Sequence, residues 1–162
     1  MRDHSWNRSV SARSPHRSRS VTPTGPSLTW AFDALAPDLA DRVDRLLSSI
    51  DDLSEAEWLR IGHDAMARPE SDGADGQARA RLTAAIADHQ LEFVSWFVRD
   101  AVDAAAQQLL LAIHPHDRHW QAAVRLAREV LYCAVMAEAA GDHLSAFDYG
   151  ILSAAWRACT AR

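Results

Sequence analysis

The chain has 162 residues, 48% of them hydrophobic and 24% charged, with two cysteines and a formal net charge of −5. That balance excludes wholesale disorder, a collagen-like or mucin-like polymer and a disulfide-dense secreted scaffold. The length fits one domain, or one domain with a tail.

All 17 basic residues are arginine, and Asn7 is the single asparagine. With the many alanines, this composition points to a GC-rich bacterial genome rather than to selection for guanidinium chemistry. The charge is unevenly placed. From Met1 to Thr29 five arginines face one acid, Asp3 (net +4), and the remainder sets twelve arginines against twenty-one acids (net −9). Serine, arginine and proline give residues 1–29 the make-up of a disordered basic tail ahead of a domain over 30–162. The tail lacks the apolar segment of a secretory signal and has no paired arginines. Its composition resembles a transit peptide, although translation from an upstream start codon explains it more simply. As a polyanion-binding arm it would bind in a salt-dependent way, and deleting it would abolish binding. The acidic remainder should repel nucleic acid and anionic headgroups. Leu109–Ile113, the most membrane-like stretch, is far below the ~20 residues that span a bilayer. A cytoplasmic protein is expected.

After Thr29 the apolar residues recur at steps of three and four: Phe32, Leu35, Leu39, Val43, Leu46, Ile50 and Leu53. With Pro37 as an early helical residue, this spacing predicts a first helix over Pro37–Ile50. Ser54 and Glu57 form a capping box, with Leu53 and Trp58 as its hydrophobic staple. A second helix therefore starts at Ser54 and stops near Arg68, because Pro69 disfavours helix at the residue before it. Trp58, Ile61, Ala65 and Met66 make its inner stripe. Glu70–Gly76 reads as a loop.

Helical periodicity then runs from Gln77 to Ile113, unusually long without internal caps. Taken as one helix, Arg81, Asp88, Glu92, Ser95, Arg99 and Asp103 fall on a wet face, opposite Leu82, Ile86, Phe93, Phe97, Ala101 and Ala104. The same phase would bury Gln90 and Gln108, at a cost on the order of 1–3 kcal/mol for an unpartnered amide. A break near Asp88–Leu91 is therefore predicted, giving third and fourth helices. A fifth helix follows His114–Asp117, with Trp120, Val124, Ala127, Leu131 and Ala134 inside and Gly141 ending it. In the sixth, Ser145 and Asp148 repeat the capping box, Leu144 and Tyr149 repeat the staple, and Phe147, Ile151, Leu152, Ala155 and Trp156 face inward. The expected fold is all-α, a compact bundle of five to six helices. Dense alanines nominate the fourth and fifth helices as its central antiparallel pair.

Three constellations suggest chemistry. His114, His116 and His119 cluster within six residues, as metal ligands can. A proline turn separates their rings, and no HExxH, Cys-x-x-Cys or Glu-x-x-His pattern accompanies them, so a solvated loop explains them better. Asp100, beside Trp96, Phe97 and Val98, would be a base if a pocket perturbed it, yet one carboxylate without a nucleophile is not a mechanism. Cys133 and Cys159 read as small core hydrophobes, and Trp58, Trp120 and Trp156 as core aromatics. Trp6 and Trp30 fall in or at the edge of the tail. Trp96 points to the other side of its helix.

The stretches Leu91–Val102 and Asp142–Trp156 resemble short alanine- and arginine-rich helical proteins of high-GC bacteria, a likeness of composition that implies no activity. The leading expectation is a non-enzymatic interaction module without cofactor, a homodimer or an accessory subunit. It would associate through Leu91, Trp96, Val98 and Val102, which exceed what one buried face needs. The alternative is a small-molecule sensor or enzyme whose ligand sits in a pocket among the third to fifth helices, against His89, Gln90 and Asp100.

Overall fold

The computed structural model describes residues 35–68, 73–112 and 117–160, without the side chains of 159 and 160. The basic tail, Trp6, Trp30, Phe32, His114 and His116 lie outside these residues, as does the side chain of Cys159. Among the described residues there are six α-helices and no strand: α1 (Pro37–Asp51), α2 (Glu55–Ala67), α3 (Ala74–Asp88), α4 (Glu92–Ala112), α5 (Arg118–Ala140) and α6 (Ala146–Thr160). A single 3-10 turn, Gly141–His143, links the last two. No helix among the described residues is long and apolar enough to cross a membrane.

The helix starts follow their local chemistry. Ser54 Oγ accepts the Glu57 N–H at 3.4 Å while the Glu57 carboxylate accepts the Ser54 N–H at 2.9 Å. Two of the four N–H groups that every helix start leaves without a partner are thereby satisfied. At α6, Ser145 Oγ accepts the Asp148 N–H at 3.1 Å and donates to the Asp148 carboxylate at 2.5 Å. Asp117 caps α5 by accepting the Trp120 N–H at 3.0 Å. Pro37 opens α1 as its first residue.

The break near Asp88–Leu91 is present, and its mechanism is a Schellman turn built without glycine. The Leu91 N–H donates to the Ile86 carbonyl at 2.9 Å and the Gln90 N–H to the Ala87 carbonyl at 3.4 Å. Closing that turn places Gln90 at φ +55°, in the left-handed region. Its amide is exposed and Leu91 is buried, so the chain ends the helix rather than sink a glutamine. A left-handed residue with a Cβ costs about 1–2 kcal/mol. Replacing Gln90 by glycine should therefore raise stability by about 0.5–1 kcal/mol in urea unfolding, after glycine's larger chain entropy is subtracted.

The same break resets the helical phase, and the expected inner face of α4 is rotated for that reason: Phe97 and Ala101 are half-buried and pack against the core, but the other two expected residues do not. Phe93 is 40% exposed and Ala104 is exposed, while Val94, Val98, Val102 and Ala106 form the buried stripe. A wheel carried through from α3 assumes 100° per residue across a turn that does not obey it. Phe147, expected inside, is 66% exposed on the first turn of α6. The inner stripe of α5 is as expected, with Trp120, Val124, Ala127, Leu131 and Ala134 all buried.

The hub of the bundle is α5. Val130–Ala137 is buried without interruption, so this part of α5 is enclosed on all sides rather than along one stripe, and the other five helices all pack on α5. Its contacts with α4 are antiparallel: Ser95 meets Tyr132, Arg99 meets Glu129 and Asp103 meets Arg128. The closest partner of α5 is nevertheless α2, not α4. Gly62 explains this, because a Cβ there would lie 2.0 Å from the Ala123 carbonyl oxygen. Two backbones come this near only where one side chain is missing.

Candidate functional site

The closeness of α2 and α5 at Gly62 and the late start of α3 leave a gap further along. Pro69 stops α2 after Ala67, and α3 begins only at Ala74, behind Gly73 at φ +73°. Between α2, α3, α5 and α6 lies a cavity of about 610 Å³. Leu126, Val130 and Cys133 of α5 and Ile151 and Leu152 of α6 provide apolar walls. Arg68, Asp75 and Arg79 supply the charged groups. A Cβ added at Gly73 or Gly76 would meet nothing within 4 Å, so that edge is open.

One pair of the polar groups, Arg79 and Asp75, is fixed by a hydrogen bond. Arg79 Nε donates to Asp75 Oδ2 at 2.8 Å. Burial works against the Arg79 charge, but the neighbouring Cys133 and Asp75 outweigh it and raise the guanidinium's pKa. Burial pushes the Cys133 thiol up; Arg79 lowers it by less, so the net shift is upward and the sulfur is protonated at neutral pH. Of the two guanidiniums, one is braced by a carboxylate. Among the described lining residues there is an excess of one positive charge over an apolar interior, the usual design of a pocket for an apolar body with a polar end.

The residues nominated from sequence lie elsewhere. His89 caps the end of α3 and its ring stacks on His143 at 3.4 Å between centroids. It lines a separate open cleft of about 400 Å³ together with Arg81, His143 and Asp148. Gln90 is the exposed left-handed residue of the turn, and Asp100 is exposed on α4, roughly 12 Å along the axis from the helix start. His89, Gln90 and Asp100 therefore do not converge on one ligand.

The expected interface also divides. Leu91, Val98 and Val102 are 3%, 0% and 1% exposed, so the apparent apolar excess of α4 is the core face itself. Trp96 alone of the four is outside, at 61% exposure, with the Phe93 ring 5.9 Å away. Of the histidine cluster only His119 is described. It is exposed, its ring 5.1 Å from His63, and no group of three potential ligands gathers among the described residues.

Sequence reading passed over the cavity because its residues are separately unremarkable. Cys133 is buried and is a core residue as expected, yet it also lines the cavity. The legible signal was in the sequence from Pro69 to Gly76, a proline and two glycines with Arg68 and Arg79 on either side, although α3 already begins at Ala74 rather than after Gly76. No protein-family model matches the chain, and neither a curated protein nor a solved structure does.

Proposed function

We propose that this protein is a non-enzymatic binding module whose ligand is a small molecule with an apolar body and one anionic end. The supporting observation is the 610 Å³ cavity with leucine, isoleucine and valine walls and Arg68 and Arg79 beside them. Its size falls in the range of small-molecule sites. An arginine suits a carboxylate because the planar guanidinium offers paired donors. Among the described lining residues nothing favours catalysis: Asp75 is tied to Arg79, and the Cys133 thiol is held protonated.

Octanoate is the probe that tests this. It should raise the melting temperature in a saturable way and slow iodoacetamide labelling of Cys133, read at that peptide by mass spectrometry. Octanol should do either far less. Arg68→Gln with Arg79→Gln should weaken octanoate about tenfold, the scale of one lost hydrogen bond to a charged group. Unchanged melting and unchanged Cys133 labelling at millimolar octanoate would remove the reading.

A second reading, self-association or docking of a protein partner, is favoured by one observation. Phe93 and Trp96 form an exposed aromatic pair on α4, and exposed aromatics are common at contacts. Trp96→Gln should then convert a dimer to a monomer in light scattering without altering the circular dichroism. A wild-type monomer at high concentration with no bound partner sinks this version.

A further inference from the structure

On the other side of the α5–α6 pair, α1 lays a second set of arginines against a different groove. Arg42 and Arg45, three residues apart, share one face of α1, and Arg157 approaches from α6. Together they line an open groove of about 410 Å³ whose apolar wall is Leu46, Ala134 and Trp156. This concentration of positive charge is unexpected in a body whose residues from 30 onward carry a net −9.

Each guanidinium has an anchoring contact, and Arg157 also lies over the Tyr149 ring, 5.7 Å from its centroid. Arg42 pairs with Glu138 at 3.1 Å, Arg45 donates to the Asp41 carbonyl at 3.1 Å, and Arg157 donates to the Gly150 carbonyl at 2.9 Å. A guanidinium has five N–H donors, so each retains donors for a ligand while its position is already set. Among the described residues the one carboxylate in the lining, Glu138, is occupied on both oxygens, by Arg42 and by the Tyr149 hydroxyl at 2.6 Å. It steadies the arginines and leaves the groove with an excess of two positive charges.

The geometry points to a binding site for a small organic phosphate with an aromatic or apolar body in this α1–α5–α6 groove. Several arginines from two helices match the several oxygens of a phosphate better than the two of a carboxylate. Trp156, half-buried at the groove wall, offers the organic portion an apolar surface. The assignment does not depend on the cavity near Cys133, since the two share no lining residue.

Calorimetric titration of the full chain with phenyl phosphate, inorganic phosphate and a short polyglutamate peptide tests it. Phenyl phosphate should bind with one-to-one stoichiometry and at least about tenfold tighter than inorganic phosphate. Arg45→Gln with Arg157→Gln should weaken it at least about tenfold, and both side chains are exposed, so circular dichroism and melting should change little. No heat with phenyl phosphate, equal affinity in the double variant or equal affinity for inorganic phosphate would overturn the assignment. Tighter binding of the peptide would overturn it in favour of an acidic protein partner. Octanoate affinity should be the same in the double variant and the wild type, which separates this groove from the cavity.

Discussion

Gly62→Ala should be among the most damaging conservative substitutions in the protein, although helix propensity alone forecasts the reverse. An alanine in a helix interior is favoured over glycine by about 1 kcal/mol. At residue 62 the new Cβ would sit 2.0 Å from the Ala123 carbonyl oxygen, 2.5 Å from its carbonyl carbon and 2.8 Å from its Cα. These are backbone atoms of the hub helix and cannot rotate aside. Relief requires α2 to move off α5, loosening the fully buried Trp58 and Ile61. Overpacking of this kind exceeds the propensity gain, and a net loss of about 3 kcal/mol is expected in urea unfolding. Adding Ala123→Gly should not restore it, because that change removes the wrong atom. A midpoint equal to or above wild type would show that α2 and α5 are not held this close. Since Ala65 of α2 lines the cavity with Leu126 and Val130, the same displacement should also weaken octanoate.

Local signals in the sequence were the most readable ones, and phase carried over distance was the least. The boundaries at Ser54, Pro69, Gly141 and Ser145 follow from capping chemistry that acts within three or four residues. The break before Leu91 was readable from the cost of burying Gln90, even without a glycine or proline to mark it. The orientation of α4 was not, because a turn of unknown geometry stands between it and α3. Val94 and Val98, at the centre of the buried stripe, were therefore passed over in favour of the exposed Phe93 and the half-buried Phe97, and the core face was mistaken for a spare one. The pairing of α2 with α5 hinges on Gly62, where the deciding feature is an absent side chain. Both proposed binding surfaces join residues from three or four helices. Arg79 and Cys133, or Arg45 and Arg157, share no periodicity along the chain that would bring them together on paper.

Asp148 couples capping to tertiary structure, and its removal should be costly and pH-dependent. It is a buried carboxylate, 2% exposed, on the first turn of α6. Ser145 donates to it, and Arg81 of α3 reaches both oxygens from one nitrogen, at 2.7 and 2.9 Å. The hydrogen bond from Ser145, then the contact and charge of Arg81, hold its pKa below the ordinary value despite the opposing effect of burial. A negative charge there also suits the N-terminal end of the helix dipole. Asp148→Ala should lower the melting temperature by about 10 °C at pH 7. Asp148→Asn should lower it less, since the amide keeps an acceptor for Ser145 and Arg81. The sign of the pH effect follows from the direction of the shift. A carboxylate whose folded pKa lies below its unfolded value stabilises the fold fully above the unfolded value, about 3.9, and progressively less as pH falls through the folded one. The melting difference between wild type and Asp148→Asn should therefore be constant from pH 7 to about pH 5 and shrink as the medium is acidified below pH 4. A difference that widened on acidification would mean that the protonated form is the one α6 and Arg81 prefer. The tie between α3 and α6 would then be a neutral hydrogen bond rather than an ion pair.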